Sequence, residues 1–133
     1  MSAPHIMSLP TISNDGKGAS FFGTREVALN GDLTRQLSDQ ISAVNFRLRR
    51  SENYSSDYHV AGDPTLLIVL SGTIRIELPS GETREFSQGD LYVAEDYLNS
   101  EIPFTEGLHG HRAEMVGTIP YKALHIKLSQ RTA

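Results

Sequence analysis

The chain has 133 residues, no cysteine, and 12 basic against 16 acidic residues, for a formal net charge of −4. This length fits one domain with a real core, and the lack of cysteine excludes disulfides and thiolate metal sites. The acidic balance argues against nucleic acid as a partner. The N-terminal residues contain neither the apolar core of a signal peptide nor a membrane-spanning run, so we expect a cytoplasmic protein without a membrane partner.

Residues 1–19 mix Pro, Ser, Asn, Asp and Gly without periodicity, which predicts an N-terminal arm before a single barrel domain over residues 20–133. A first strand is predicted over Ser20–Leu29. Next, Asp32–Ile41 carries leucine and isoleucine at helical spacing after an aspartate, and this pattern favours a short helix.

The segment Ser42–Arg49 alternates apolar and polar residues, which predicts a strand with one apolar face. Its polar face carries Arg47 and Arg49. This face is either solvated or turned into the barrel, because the interior of a barrel that carries a ligand is often polar. Arg47 and Arg49 are therefore candidates for binding an anionic substrate.

The segment Leu67–Asp90 contains several short strands separated by turns at Ser71-Gly72, Ser80-Gly81 and Gly89-Asp90. Such spacing is typical of a small antiparallel barrel or jelly roll. The run Leu66–Leu70 is apolar without alternation, which predicts a strand buried on both faces. A second copy of the chain would cover its outer face, so we expect a homodimer.

Several short pieces of the chain resemble the cupin superfamily, and within it the small single-domain cupins. They are Tyr58-His59, LIVLSG at 67–72, GETREFSQGD at 81–90, AED at 94–96 and GHR at 110–112. The resemblance implies a cupin-type double-stranded β-helix, an antiparallel jelly-roll barrel with at most short helices. It also implies a pocket for a small molecule, which holds either a metal or an acid/base site.

The general cupin pattern binds a divalent metal through three His and one Glu, and the chain keeps only part of this set. Of the two His in the first motif it retains His59, and the closing His of the second is His109 or His111. His109 and His111 are two residues apart and lie on one side if the segment is extended, so the candidate metal ligands are His59, His109 and His111. Imidazoles with carboxylates suit Zn, Fe, Mn or Ni. A pocket without metal remains an equal alternative.

In a pocket without metal, His59 and His111 are the candidate acid and base, because imidazole titrates near neutral pH. Glu95 and Asp96 end a short strand, so one should point inward and the other outward. The candidate pocket walls are aromatic: Phe46, Tyr92, Phe104 and Tyr121. His125, in the predicted strand Tyr121–Leu128, shares a face with Lys127 and is expected to point outward.

These features favour an enzyme that performs acid/base chemistry on a compact organic substrate, of the lyase, dehydratase, isomerase or cyclase kind. The alternatives are a metal-dependent dioxygenase and a non-catalytic module that binds or senses a small ligand. An enzyme requires at least two ionisable groups within reach of one substrate, whereas a binding module can have a single polar anchor in an apolar pocket. Convergence of His59 and His111 would therefore favour an enzyme over a binding module.

Overall fold

The computed structural model describes residues 5–17, 19–32, 34–98 and 101–129, and within them the regular structure consists of β-strands. The strands are β1 (His5–Asn14), β2 (Ser20–Asp32), β3 (Arg35–Leu37), β4 (Ala43–Ser51), β5 (Thr65–Ser71), β6 (Thr73–Glu77), β7 (Thr83–Ser87), β8 (Leu91–Ala94), β9 (Arg112–Val116) and β10 (Tyr121–Leu128). None of the residues described forms a helix long and apolar enough to cross a membrane.

The strands form two sheets, and the hydrophobic core brings side chains of both together. The larger sheet has the order β3-β2-β1-β8-β5-β10-β4, and the smaller has the order β7-β6-β9. The larger sheet contributes Ile12, Leu67, Val69 and Tyr92 to the core, and the smaller contributes Ile74, Ile76, Phe86 and Ala113. The expected all-β, jelly-roll-like fold is confirmed.

The predicted turns lie where the glycines place them. Gly81 and Gly89 have φ of 92° and 91°, and they connect β6 to β7 and β7 to β8. Gly72, with φ of 75°, separates β5 from β6. A Cβ at Gly72 would lie 2.9 Å from the carbonyl oxygens of both Ile119 and Pro120, so a larger residue could not occupy this position without moving the backbone.

The N-terminal third differs from the expectation in two places. His5–Asn14 is a strand of the larger sheet rather than an arm, because it pairs with β2 along its whole length and with β8 on its other side. The predicted helix over Asp32–Ile41 is wrong. The Asp32 carboxylate accepts hydrogen bonds from the amides of Thr34 and Arg35, which forms a tight turn and returns the chain into β3.

Strands β4 and β10 have a polar inner face and an apolar outer face. Residues directly opposite each other in a ladder point to the same side. Arg49 lies opposite Ala123, and Arg47 lies opposite His125. Ala123 is fully buried, so this side is the interior. The outer side of the same two strands carries Phe46, Leu48, Leu124 and Ile126.

The run Leu66–Leu70 is less enclosed than the sequence indicated. Leu67 and Val69 are buried in the core, whereas Leu66 and Ile68 are half-buried and Leu70 is exposed. The inner face of β5 is therefore covered by the smaller sheet. Its outer face is continuous with the apolar outer face of β10, since Ile68 lies opposite Leu124.

Candidate functional site

The centre of the site is a hydrogen bond between His111 and Asp96, both buried. Asp96 follows the end of β8, and His111 immediately precedes β9. The distance from Nδ1 of His111 to Oδ2 of Asp96 is 2.8 Å. Asp96 also accepts hydrogen bonds from the hydroxyl of Ser20 and from the amide of Ala61. These three bonds fix the carboxylate, which in turn fixes the orientation of the His111 ring.

The neighbouring carboxylate, Glu95, points to the opposite side of the sheet. There it forms an ion pair with Arg25 and accepts a hydrogen bond from the hydroxyl of Ser13. The inward and outward directions expected of this pair are therefore observed. Glu95 lies away from the two imidazoles, so the structure does not bring this predicted catalytic residue to the site.

His59 lies beside His111 because the two backbones pair. The amide of each donates to the carbonyl of the other at 2.9 Å, and their ring centroids are 4.7 Å apart. Gly110 makes this approach possible, since a Cβ at Gly110 would lie 2.6 Å from the carbonyl oxygen of His59. Nδ1 of His59 lies 2.9 Å from the carbonyl oxygen of Asp57. The two candidate imidazoles thus converge.

At the site, the pKa values of both His59 and Asp96 are lowered from their ordinary values. Partial burial of the ring, with a contribution from the charge of His111, lowers the pKa of His59, although the residue as a whole is exposed. Burial raises the pKa of Asp96, but the hydrogen bond and charge of His111 outweigh it, and the net pKa is lowered. At neutral pH the site therefore contains a neutral His59 and an ionised Asp96.

The donor set does not fit a metal ion. His109 is buried, but its Nδ1 accepts a hydrogen bond from the amide of Thr105. Gly110, with φ of 87°, breaks the extended geometry that would place the two flanking imidazoles on one side. Across the residues that can be described, no three His, Cys, Asp or Glu side chains group as a metal site. His59 and His111 alone fall short of the three protein ligands of a typical catalytic zinc.

A second set of side chains joins strand β4 to the aromatic residues of the interior. The guanidinium carbon of Arg49 lies 4.9 Å from the ring centre of Tyr54, which is 5.7 Å from the ring centre of Tyr121. The positive charge of Arg49 also makes a small contribution that lowers the pKa of both His59 and Tyr121. Burial raises the pKa of Tyr121 to about 12, so its hydroxyl stays protonated. Tyr92 is hydrogen bonded to Tyr121 and is buried.

The other predicted wall residues lie elsewhere. Phe104 is exposed in the segment before β9, and its ring centre is 6.2 Å from that of His109. Phe46 points outward and is 72% exposed, so it is not a pocket wall. Of the predicted aromatic walls, Tyr92 and Tyr121 are buried in the core. Tyr54, which packs against the core and beside Tyr121, was not anticipated.

His125 is a further residue that the sequence misplaced. It lies on the inner face with Tyr121 and Ala123, both buried, and its Nε2 is buried as well. Burial lowers its pKa to about 4, and the charges of Arg49, Arg47 and Lys127 act in the same direction. The available signal was the alternation of β10, which puts His125 on the face of Tyr121. The outward expectation was wrong because Leu124 and Ile126, rather than His125, face away from the core.

Comparison with known proteins adds little to this description. No family model and no curated protein matches the chain. Among solved structures, a match is the crystal structure of a protein provisionally described as ethanolamine utilization protein Q from Salmonella typhimurium LT2. The two chains are 15% identical with a TM-score of 0.30, and the match covers 98% of this chain and 99% of that chain. The functional interpretation therefore rests on the site itself.

Proposed function

We propose that the protein is an enzyme that transfers protons to and from a compact organic substrate, without a metal. The observation that carries this proposal is the pair of converging imidazoles, one of which is held by a buried carboxylate. A binding module needs no such pair, because one polar anchor is enough to orient a ligand. Two adjacent groups able to exchange protons are what a lyase, dehydratase or isomerase requires.

The surroundings of the two imidazoles indicate different roles. With its Nδ1 hydrogen donated to the carbonyl of Asp57, His59 has a free lone pair on Nε2. Its lowered pKa keeps it unprotonated at neutral pH, which suits a base. His111 donates its Nδ1 hydrogen to Asp96, whose negative charge compensates a proton held on Nε2. This arrangement suits an acid.

Elimination of water shows how the two roles balance. His59 takes a proton from a carbon next to a carbonyl or carboxylate group, and the electrons of that bond form a carbon–carbon double bond. The hydroxyl on the neighbouring carbon receives a proton from His111 and leaves as water. The positive charge of Arg49 stabilises the negative charge that develops on the substrate. In an isomerisation, His111 would instead donate its proton to a different carbon of the substrate.

The test begins with a screen of carbonyl and hydroxy-acid compounds, in which turnover is followed by NMR. We expect His59→Gln and His111→Gln each to lower kcat/KM at least about a hundredfold, because general acid/base catalysis contributes roughly 10²–10⁴ in rate. Turnover should survive a chelator. The acid limb of the pH profile should lie below pH 6.5, since His59 must be unprotonated and its pKa is lowered from that value.

The matched control is His5→Gln, since His5 is an exposed histidine on β1. It should retain full turnover, and the melting temperatures of all three variants should show that they are folded. Folded His59 and His111 variants with nearly normal turnover would contradict the proposal. Loss of turnover on chelation, together with loss of bound metal in the same variants, would show instead that the enzyme depends on a metal.

A further inference from the structure

Beside β4 and β10 lies a cleft of which the proton-transfer proposal uses only Arg49. The cleft has a volume of about 490 Å³ and is lined by Arg47, Arg49 and His125 of the inner face, together with Leu48 and Arg50 from the other face of β4. Arg47 lies directly across the ladder from His125. Arg49 lies two residues further along β4, which is about 7 Å at the usual rise of a strand. Cationic side chains thus follow one another along this wall.

The polar groups of this wall lack anionic partners. In the part of the chain that the structure describes, no ion pair joins Arg47 or Arg49 to a carboxylate. The Nε2 atom of His125 is buried and has no hydrogen-bond partner there. An unsatisfied buried polar atom is costly, and most such atoms in proteins are hydrogen bonded. The cleft therefore presents hydrogen-bond donors and positive charge that no carboxylate of the described residues compensates.

The charges that surround His125 are all positive. Arg47 and Arg49 face it from β4, and Lys127 lies on its own strand. On the other side, β5 places the apolar Leu67 opposite His125. An oxyanion in the cleft would compensate this positive charge, and it would also accept a hydrogen bond from His125. Arginine is well suited to this task, because its planar fork matches the two oxygens of a carboxylate or phosphate.

We propose that Arg47, Arg49 and His125 form a subsite that binds the carboxylate or phosphate group of the substrate. The subsite rests on the proposed function and deepens it, since it names the charged group of the substrate on which the two imidazoles act. The substrate is then a small organic anion whose charged group lies at His125. Its reacting carbon lies between His59 and His111.

The experiment titrates the wild-type protein with sodium acetate and, separately, with sodium phosphate at low ionic strength, while NMR follows the imidazole protons. We expect the anion to shift the signals of His125 and to raise its titration midpoint. Arg49→Gln and Arg47→Gln should each weaken binding by roughly tenfold or more, because a charge-assisted hydrogen bond is lost. Arg49→Lys should weaken it less, since the charge remains. The anion that binds more tightly identifies the substrate group.

The matched control is Arg35→Gln on β3, at the opposite edge of the larger sheet, which removes the same charge far from the cleft. It should bind the anion like the wild type. Unshifted His125 signals with both anions, or equal weakening in the Arg35 and Arg49 variants, would overturn the subsite. Neither result would affect the proton-transfer proposal, which is judged by turnover. Conversely, His111→Gln should abolish turnover and still bind the anion.

Discussion

Two imidazoles of the interior, the buried His111 and the half-buried His125, have surroundings that differ in charge. His111 is hydrogen bonded to Asp96, which is itself held by two further donors. Among the residues that the structure describes, no carboxylate pairs with His125, and the charges of Arg47, Arg49 and Lys127 act on it. The first environment places a negative charge beside the ring, whereas the second places positive charges around it. The same residue type is thus suited to proton transfer in one place and to anion binding in the other.

The difference arises from the strands that supply the partners. Asp96 follows the end of β8 and points inward because it lies an even number of residues from the buried Tyr92 and Ala94. Two inward positions of β4, 47 and 49, are arginines instead, and this strand lies at an edge of the larger sheet. Water and ligand can therefore approach the arginines more easily than Asp96.

The largest difference between the two environments should appear in stability. Asp96→Ala removes a buried carboxylate and leaves the donors of His111, Ser20 and Ala61 without an acceptor. We expect a loss of about 3 kcal/mol or more in the free energy of unfolding, measured with urea. Arg47→Ala removes only one of several like charges from an exposed residue, so its effect should lie within about 0.5 kcal/mol.

Asp96→Asn is the informative intermediate variant, because the amide retains an acceptor oxygen without the charge. Its free energy of unfolding should lie between those of the wild type and Asp96→Ala. Equal stability of the Asp96→Ala and Arg47→Ala variants would mean that the carboxylate is not a structural anchor of the site.

The strands and turns were predictable because local residue patterns determine them. Alternation located β10 with its observed bounds, and the glycines at 72, 81 and 89 marked the turns. Alternation also predicted that Glu95 and Asp96 would diverge. The helix over Asp32–Ile41 failed because an aspartate that caps a helix and one that forms a turn give the same signature. Pairing of Asn30 with Leu37 decided between them.

The location of the anion subsite was only partly predictable, since alternation shows which residues share a face but not which face is inward. The apolar residues of β10 suggested that Leu124 and Ile126 face the core and that His125 faces solvent. The observed arrangement is the reverse. The polarity of β4 and β10 is inverted because their inner face borders a cleft. Predicting such an inversion requires knowledge of the neighbouring strands.

The two environments should also respond to acid over different pH ranges. The pKa of His125 is about 4 in the folded protein against an ordinary 6.5, so the unfolded chain takes up this proton first as the pH falls. The free energy of unfolding should therefore fall between pH 6.5 and pH 4. The contribution of Asp96 should persist over that range and disappear only below its ordinary pKa of 3.8, because its folded pKa is lowered.

Urea denaturation at several pH values between 4 and 7 measures this difference. His125→Gln should lose part of the slope between pH 6.5 and 4, while the remainder comes from His59, whose pKa is lowered as well. Saturating anion should flatten the wild-type slope, because the bound anion favours a protonated His125. A slope that is unchanged in His125→Gln would contradict the assignment.

Substitutions on the outer face of the strands that carry the arginines should have the smallest effect on the site. The apolar strip comprises Phe46, Leu48, Leu66, Ile68, Leu91, Leu124 and Ile126. It spans four strands and about five residues, or about 300 Å² at the usual strand dimensions. A standard interface buries about 800 Å² per partner, with an apolar centre and a polar rim. The strip has the size of such a centre, and we propose that a second copy of the chain covers it.

Self-association through this strip is the simplest arrangement, because a two-fold axis brings identical apolar surfaces together. Light scattering at micromolar concentration should therefore give the mass of a dimer. Phe46→Asp, at a position that is 72% exposed, should give a monomer. Ile119→Asp, at a loop position that is 63% exposed, should leave the dimer intact. Anion binding should change little in Phe46→Asp, since Phe46 and Arg47 lie on opposite faces of β4. A monomeric wild type would refute the dimer and leave both inner environments unaffected.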